Sequence, residues 1–429
     1  MAANNLLKQI AVQFDELLVG FDDQLVTSKN VETFNVPGET FQRSSDVIWR
    51  KLPTISTSGN GIDATTDFTN ASATQLSVPA SVGFQKHSVF ALNGLELRDA
   101  LSQKTLLAGA KRKLSSDINV AVNNAIGLQG SLCVKRTTPS VGYDDWGIAS
   151  ALMDERGISM FDRKAVMAPR DYNSAAGNLA SRQTLNDLPR TAYEKARINA
   201  DIAGFEMFKE GYTYRQPAAL GVGVTLTSSN QYYTPAATTT QSDGSVTPKE
   251  NRYQIISVTV SSGAIAVGDR FQFITANACN SVHQITKQDT GQPMTFVVNR
   301  IVTGAGGTGT IEISPPIISG TGGTPAELQY KNCTAIPAAG AGITFLNTVA
   351  TSVNPFWQKQ AVEIIPCRYE VPNDMGLKSM TGTTDQGITL TMSYRVDLFT
   401  LNMQARVDCL FGVVVNQPQQ VGVMLFNQT

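Results

Sequence analysis

Apolar residues recur every three or four positions from Leu106 to Leu132, at Leu107, Ala110, Leu114, Ile118, Ala121, Val122, Ala125 and Leu128. This spacing predicts one long amphipathic helix with a single apolar stripe, and Lys111, Arg112 and Lys113 fall outside it. The same period appears near the start of the chain, at Leu6, Leu7, Ile10, Ala11, Phe14, Leu17 and Leu18. Asp15 and Glu16 lie beside that stripe, with Asp22 and Asp23 beyond Gly20, so a short amphipathic arm with an acidic flank is expected. Between the two helical patterns, Val36 to Val89 is polar and punctuated by Pro37, Gly38, Pro53, Gly59, Gly61 and Pro79. Its apolar groups are short, such as Val47-Ile48-Trp49 or Leu76 and Val78, which predicts a long projecting β-hairpin. A lone hairpin is marginal in water, so this one needs another surface to lie on.

After the long helix, residues 146 to 220 alternate helical and extended patterns, as in mixed α/β packing. Ala165-Val166-Met167 reads as a short buried strand ended by Pro169, and Pro189 to Lys195 as a helix start. The pattern then changes. Residues 222 to 346 carry 12 charged residues in 125, against 57 in the other 304, and Thr, Ser and Gly crowd in. Extended runs recur at Tyr253 to Val260, Arg270 to Ile274, Thr295 to Val302 and Thr310 to Ile313, joined by turns such as Ser261-Ser262-Gly263 and Gly304 to Gly309. This predicts an all-β insert, a small barrel or sandwich. Beyond it the mixed pattern resumes, with strands at Ala361 to Ile365 and Gly387 to Val396, a helix-like stretch at Leu398 to Val407, and the apolar run Cys409 to Val415. The segments flanking the insert are therefore expected to fold together.

Charge and composition remove several function classes. The chain has 429 residues, 34 Lys plus Arg against 35 Asp plus Glu, and a net charge of −1, which does not suit a general binder of nucleic acid. Charged residues make up only 16% of it, which leaves much neutral surface for repeated protein contacts. No apolar run is long enough for a membrane span, and Met1 to Gln9 lacks a secretion pattern, so a cytoplasmic start is the default. Cys133, Cys279, Cys333, Cys367 and Cys409 are scattered without metal-ligand spacing and read as buried free thiols. His87 and His283 are far apart and sit in no nucleophile or zinc motif. The expectation is a protein without catalytic, cofactor or metal residues.

The order of several weak motifs then becomes informative. Arg43-Ser44-Ser45 with Ile48-Trp49, the long helix, Pro169 with Asp171-Tyr172, Pro189, Ala192-Tyr193, Ile198 and Ala203-Gly204-Phe205 follow one another. Within the insert come Asp243-Gly244, Asn251-Arg252 and Gly268-Asp269. After it come Asn354, Phe356-Trp357, Ala361, Asp397, Thr400-Leu401, Arg406 and Gly412-Val413. This series, spread over nearly the whole chain, resembles the coat proteins of short-tailed enterobacterial phages of the lederbergvirus type. The resemblance implies an α+β tailed-phage capsid fold of the Hong Kong phage type, with an inserted all-β barrel domain.

It also implies an arm at 1–35, an extended loop at 36–92, a peripheral domain with a spine helix at 93–140 and a first axial part at 141–221. The barrel falls at 222–346, and the axial and peripheral return at 347–429. By the same resemblance the protein is the major capsid protein of a virion, assembled in the host cytoplasm. Its expected partners are many copies of itself in hexamers and pentamers, a scaffolding protein, a portal protein, and enclosed double-stranded DNA bound without sequence preference. Asp15 and Glu16 occupy the place of scaffold-binding carboxylates, while a further acidic position of the family is Val19 here. The loop Gln241 to Lys249 resembles one that reaches a neighbouring capsomer, with Asp243 as its acidic contact and a tight turn as the plainer role of the Asp-Gly pair. In the extended loop only Lys51 and Lys86 offer an amine for a crosslink, and the lederbergvirus type uses none, so no isopeptide bond is expected. A cellular nanocompartment shell and a Thr/Gly-rich surface adhesin are the rival classes.

Overall fold

The computed structural model describes residues 12, 14–21, 25–34, 47–55, 61–63, 65, 74–93, 100–181, 198, 201–274, 279–369, 371, 378–397, 399 and 402–429. The chain divides into two compact units. The first gathers 1–48, 80–123 and 363–414, and the second 49–79, 124–362 and 415–429. The expected helix start at Pro189 to Lys195 lies outside the described residues, as do Arg43-Ser44-Ser45 and Thr400-Leu401.

In the first unit a sheet runs in the order Glu32–Thr33, Val362–Cys367, Met403–Val415, Thr389–Val396, Lys378–Thr383, with Phe84–Leu92 also paired to Met403–Val415. That last pairing covers nine residues, from Met403 opposite Leu92 to Phe411 opposite Phe84. The sequence reading had a helix over Leu398 to Val407, and the structure corrects it. Met403, Ala405 and Val407 are buried while Gln404 and Arg406 are exposed, a period of two that fits a strand with one covered face. The long helix is real and spans Ala100–Gln129. Up to Asn123 its inner face holds Leu107, Ala110, Leu114, Ile118 and Val122, all buried. It ends before Gly130, and Leu132 already belongs to the strand Leu132–Lys135.

The second unit contains a five-stranded sheet in the order Leu132–Lys135, Val421–Leu425, Asn354–Gln358, Arg163–Met167, Glu206–Lys209. Two strands from after the insert lie between strands from before it, so the flanking segments do fold together. Trp146 on the helix Tyr143–Glu155 packs edge-on against Phe205 and Phe356, with ring centroids 5.6 and 6.2 Å away. The buried strand read at Ala165 to Met167 is present as Arg163–Met167, and Pro169 opens the next helix, Pro169–Ser181, where its missing N–H costs nothing.

The insert is a closed barrel of six strands among the described residues, in the order Gln254–Ser262, Gly307–Ser314, Thr295–Thr303, Arg270–Ile274, Gly342–Phe345, Val222–Leu226. Along Gln254–Ser262 buried Ile256, Val258 and Val260 alternate with more exposed neighbours, the signature of a strand with one face in the core. Phe271, Phe273 and Phe296 fill the interior, Phe271 stacking on Phe296 at 5.5 Å. Closure leaves no barrel edge open to stray pairing.

Two side chains root the barrel on the C-terminal end of the long helix. Arg270, fully buried, donates from Nη2 to the Gly127 and Gly130 carbonyls and from Nη1 to Gln216 Oε1 and the Gly268 carbonyl. The last carbonyls of a helix lack partners within it and carry partial negative charge, so a guanidinium is well placed there. Thr295 Oγ1 adds a bond of 2.7 Å to the Ser131 carbonyl.

Only part of the long hairpin expected over Val36 to Val89 is described, and its last stretch, Phe84–Leu92, pairs instead with Met403–Val415. Val47–Lys51 and Ser77–Ser81 pair with each other. Thr74 N donates to Gln329 Oε1 at 3.0 Å, and Tyr330 OH donates to the Thr74 carbonyl at 2.6 Å. Val78 is fully buried.

Candidate functional site

The acidic flank of the arm is exposed in the way its spacing predicts. Residues 14–18 are helical, Phe14 and Leu17 are buried, and Asp15 and Glu16 are exposed. The inward side chains meet the strand Lys378–Thr383 at Gly382, where an added Cβ would come within 2.3 Å of Leu18 Cδ1 and 2.9 Å of Phe14 Cε1. A side chain at this position would force Leu18 and Phe14 to shift. Glu16 Oε2 lies 3.8 Å from Lys104 Nζ with both side chains more than half exposed, so solvent screens the pair. Lys111, from the basic cluster of the long helix, donates to the Val19 carbonyl.

Just beyond the arm, a buried polar set joins Thr27 and Ser28 to the long helix. Ser28 N and Oγ both donate to Asn119 Oδ1, at 3.3 and 3.1 Å, and Asn123 Nδ2 donates to Thr27 Oγ1 at 2.9 Å. Gln386 Nε2 donates to the Ser28 carbonyl. The sequence reading did not single out these residues. A signal was available: Ser115, Asn119 and Asn123 recur four apart and are all buried, so a polar row runs along the covered side of the helix.

Asp243 sits at the tip of a two-stranded ribbon, Thr238–Thr240 with Val246–Pro248. Its Oδ1 accepts from Ser245 N at 2.9 Å and from Ser245 Oγ at 2.7 Å, which hold its carboxyl below the usual carboxylate range. Gly244 takes φ +84°, a conformation that L side chains rarely adopt. The turn role is therefore present, and the tip remains exposed. Asp15 and Glu16 belong to the first unit and Asp243 to the second.

The other insert motifs have structural work. Asp269 accepts from Ala266 N and Asn347 Nδ2 at the barrel root, at 2.8 and 2.9 Å. Asn251 Oδ1 accepts from Tyr233 OH and Ala236 N, at 3.0 and 3.1 Å. Arg252 pairs with Glu250 and donates to the Val415 carbonyl. In the five-stranded sheet, Asn354 Nδ2 donates to Asp171 Oδ2 at 2.8 Å while its Oδ1 accepts from Ala168 N, also at 2.8 Å. Burial raises the Asp171 carboxyl.

No constellation for chemistry forms among the described residues. His283 Nδ1 accepts from the backbone of Ile285 and Thr286, and His87 is exposed on a strand opposite Asp408. Cys133, Cys279, Cys333 and Cys409 are buried and Cys367 half-buried, all as free thiols, and burial pushes Cys133 and Cys409 up to about 12. No group of three His, Cys, Asp or Glu side chains suited to a metal occurs among the described residues, and none of the described helices is long and apolar enough to cross a membrane.

The described residues form a charge-poor closed barrel set into a mixed α+β protein. The family model for the P22 coat protein, gene protein 5, matches residues 1–427, and the chain belongs to that family. It is thus a capsid protein with the tailed-phage capsid fold and an inserted barrel, and it self-assembles into the multimeric shell of a virion. Among solved structures it is similar to one from Mycobacterium phage Che8, at 9% identity over 93% of this chain and 90% of that one, with a TM-score of 0.45. It is also similar to the capsid of cyanophage P-SCSP1u, at 10% identity over 93% and 86%, TM-score 0.43. The head structure of Helicobacter pylori bacteriophage KHP40 matches at 11% identity over 95% and 90%, TM-score 0.40.

Proposed function

We propose that this coat protein assembles in the host cytoplasm, as hexamers and pentamers around a scaffolding protein and with a portal, into an icosahedral precursor. The precursor expands as double-stranded DNA fills it. The observation that carries the scaffold step is the division of the arm helix into buried Phe14 and Leu17 and exposed Asp15 and Glu16. The apolar residues hold the arm on its own sheet, and the carboxylates stay available to a basic partner. Such a contact is electrostatic and close to solvent, so salt weakens it. The test is Asp15→Ala with Glu16→Ala: sedimented shells should contain several-fold less scaffold on a gel, with a smaller loss of scaffold when salt is raised. Normal scaffold content in the double variant would refute the docking role.

The Asp243 loop serves in this reading as an acidic contact between capsomers. Support comes from its exposure and from the ribbon and Ser245 bonds that hold the carboxylate outward at a defined tip. Subunit contacts in a closed shell are many and individually weak, so one modest contact repeated around the lattice matters. Asp243→Ala should lower the yield of closed shells while leaving the soluble subunit folded, and an unchanged yield would remove the contact. Neither Lys51 nor Lys86 is assigned a crosslinking role, and a ladder of covalent multimers on a denaturing gel would contradict that.

A further inference from the structure

The second unit contains a cleft of about 130 Å³ that neither the arm nor the Asp243 loop uses. Its apolar wall comprises Leu52, Leu76, Val78, Pro316 and Ile318. An apolar cavity of about 150 Å³ holds a benzene ring, so this one suits a single ring or a short aliphatic chain and is too small for a drug-sized ligand.

The polar lining has one sign. Arg252, Lys287 and Lys331 face the cleft together, and no Asp or Glu is among its lining residues. Arg252 is already paired with Glu250. Lys287 and Lys331 have no carboxylate at ion-pair distance among the described residues, and Lys287 Nζ donates only to the Lys331 carbonyl, at 3.3 Å. Burial and the neighbouring Lys331 charge push the Lys287 ammonium down to about 8, so an anion placed there would relieve an existing cost. A second observation is independent of the lysines. Asn416, 5% exposed, also lines the cleft, and its buried Oδ1 has no hydrogen-bond partner. A buried amide oxygen is rarely left so, and a water entering beside the carboxylate would satisfy it by donating one proton to Asn416 Oδ1 and the other to the ligand.

We propose that this cleft binds a small amphiphilic carboxylic acid, a short- or medium-chain fatty acid, with its chain on the Leu76–Val78 and Pro316–Ile318 wall and its carboxylate at Lys287 and Lys331. Charge-assisted hydrogen bonds to the two ammonium groups supply the polar recognition, and burial of the chain supplies the rest. The shell then carries a ligand next to the hairpin stalk, where it braces Leu52 and Val78 against the barrel side of the same unit.

The test is calorimetric titration of the full-length protein, as free subunits and as assembled shells, with sodium hexanoate. Acetate and hexanol serve as probes that each lack one half of the ligand. Hexanoate should bind saturably with one site per chain, and acetate and hexanol at least tenfold more weakly. Lys287→Gln and Lys331→Gln should each lower hexanoate affinity about tenfold, and Val78→Phe should abolish binding by filling the cleft. Circular dichroism checks that each variant is folded. Hexanol binding as well as hexanoate, or affinity unchanged in both lysine variants, would overturn the proposal. Binding to free subunits that disappears in shells would also overturn it, because the cleft would then belong to a neighbouring copy.

Discussion

The barrel and the first unit are both sheet structures closed around apolar side chains, yet their strands find each other over very different lengths of chain. Residues 222–345 of the barrel pair almost wholly with one another, as Gln254–Ser262 does with Gly307–Ser314 about fifty positions on. In the first unit Met403–Val415 pairs with Phe84–Leu92, about three hundred positions back, and Glu32–Thr33 lies on Val362–Cys367. An insert that satisfies its own backbone can be gained without disturbing its host. A sheet stitched from three remote segments depends on every one of them, and on polar pins such as Asn119 to keep the segments in register.

The strongest way to break this contrast is to empty the barrel. Phe271→Ala removes a fully buried ring that touches Phe273 and Phe296 and should cost about 3–5 kcal/mol, measured by denaturant unfolding of the full chain. Tryptophan signals from Trp146, on the helix packed against the five-stranded sheet, should change much less than barrel signals at the same denaturant concentration. Simultaneous loss of both would show that the barrel is not a separate core.

Arg270→Ala attacks the root instead of the core. It strips four carbonyl-type acceptors of their donor and should cost about 3 kcal/mol, with the barrel strands intact by circular dichroism. In the first unit, Asn119→Ala leaves Ser28 N and Oγ without their acceptor and should cost about 1–3 kcal/mol. Hydrogen exchange should localise the first loss to residues 124–131 and the second to residues 25–33.

The pH dependence touches both regions and should be gentler. The Cys133 and Cys409 thiols are held near 12 in the fold and ionise near 9 when unfolded. The native state therefore binds more protons between those values, and this contribution to stability, complete below pH 9, is lost as pH rises toward 12. Lys287, pushed down to about 8, acts in the opposite sense between 8 and 10.5. Replacing both thiols by alanine should flatten the alkaline decline, as followed by thermal unfolding between pH 8 and 11.

How much of this was legible in the sequence follows from the same contrast. Strands such as Arg270–Ile274 and Gln254–Ser262 announce themselves through local alternation and nearby Gly turns, and the scarcity of charge outlined the insert. The long helix was readable because its buried face keeps one period over many turns. The stretch before Cys409 was misread because Leu, Met, Gln, Ala and Arg are good helix formers, and only its partner strand far back in the chain makes it extended. Arg270 and Asn119 were missed for a related reason: a buried charge or amide is explained by what it meets, and both meet groups remote in sequence. The acidic face of the arm was visible from spacing alone, but spacing carries no information about the partner.

The most direct test of the account is electron microscopy of the full-length protein co-expressed with its scaffolding protein, wild type beside Asp15→Ala with Glu16→Ala. The wild type should give uniform closed icosahedral shells, and the double variant aberrant or scaffold-poor particles built of folded subunits. Equally regular, scaffold-filled shells from both would contradict it.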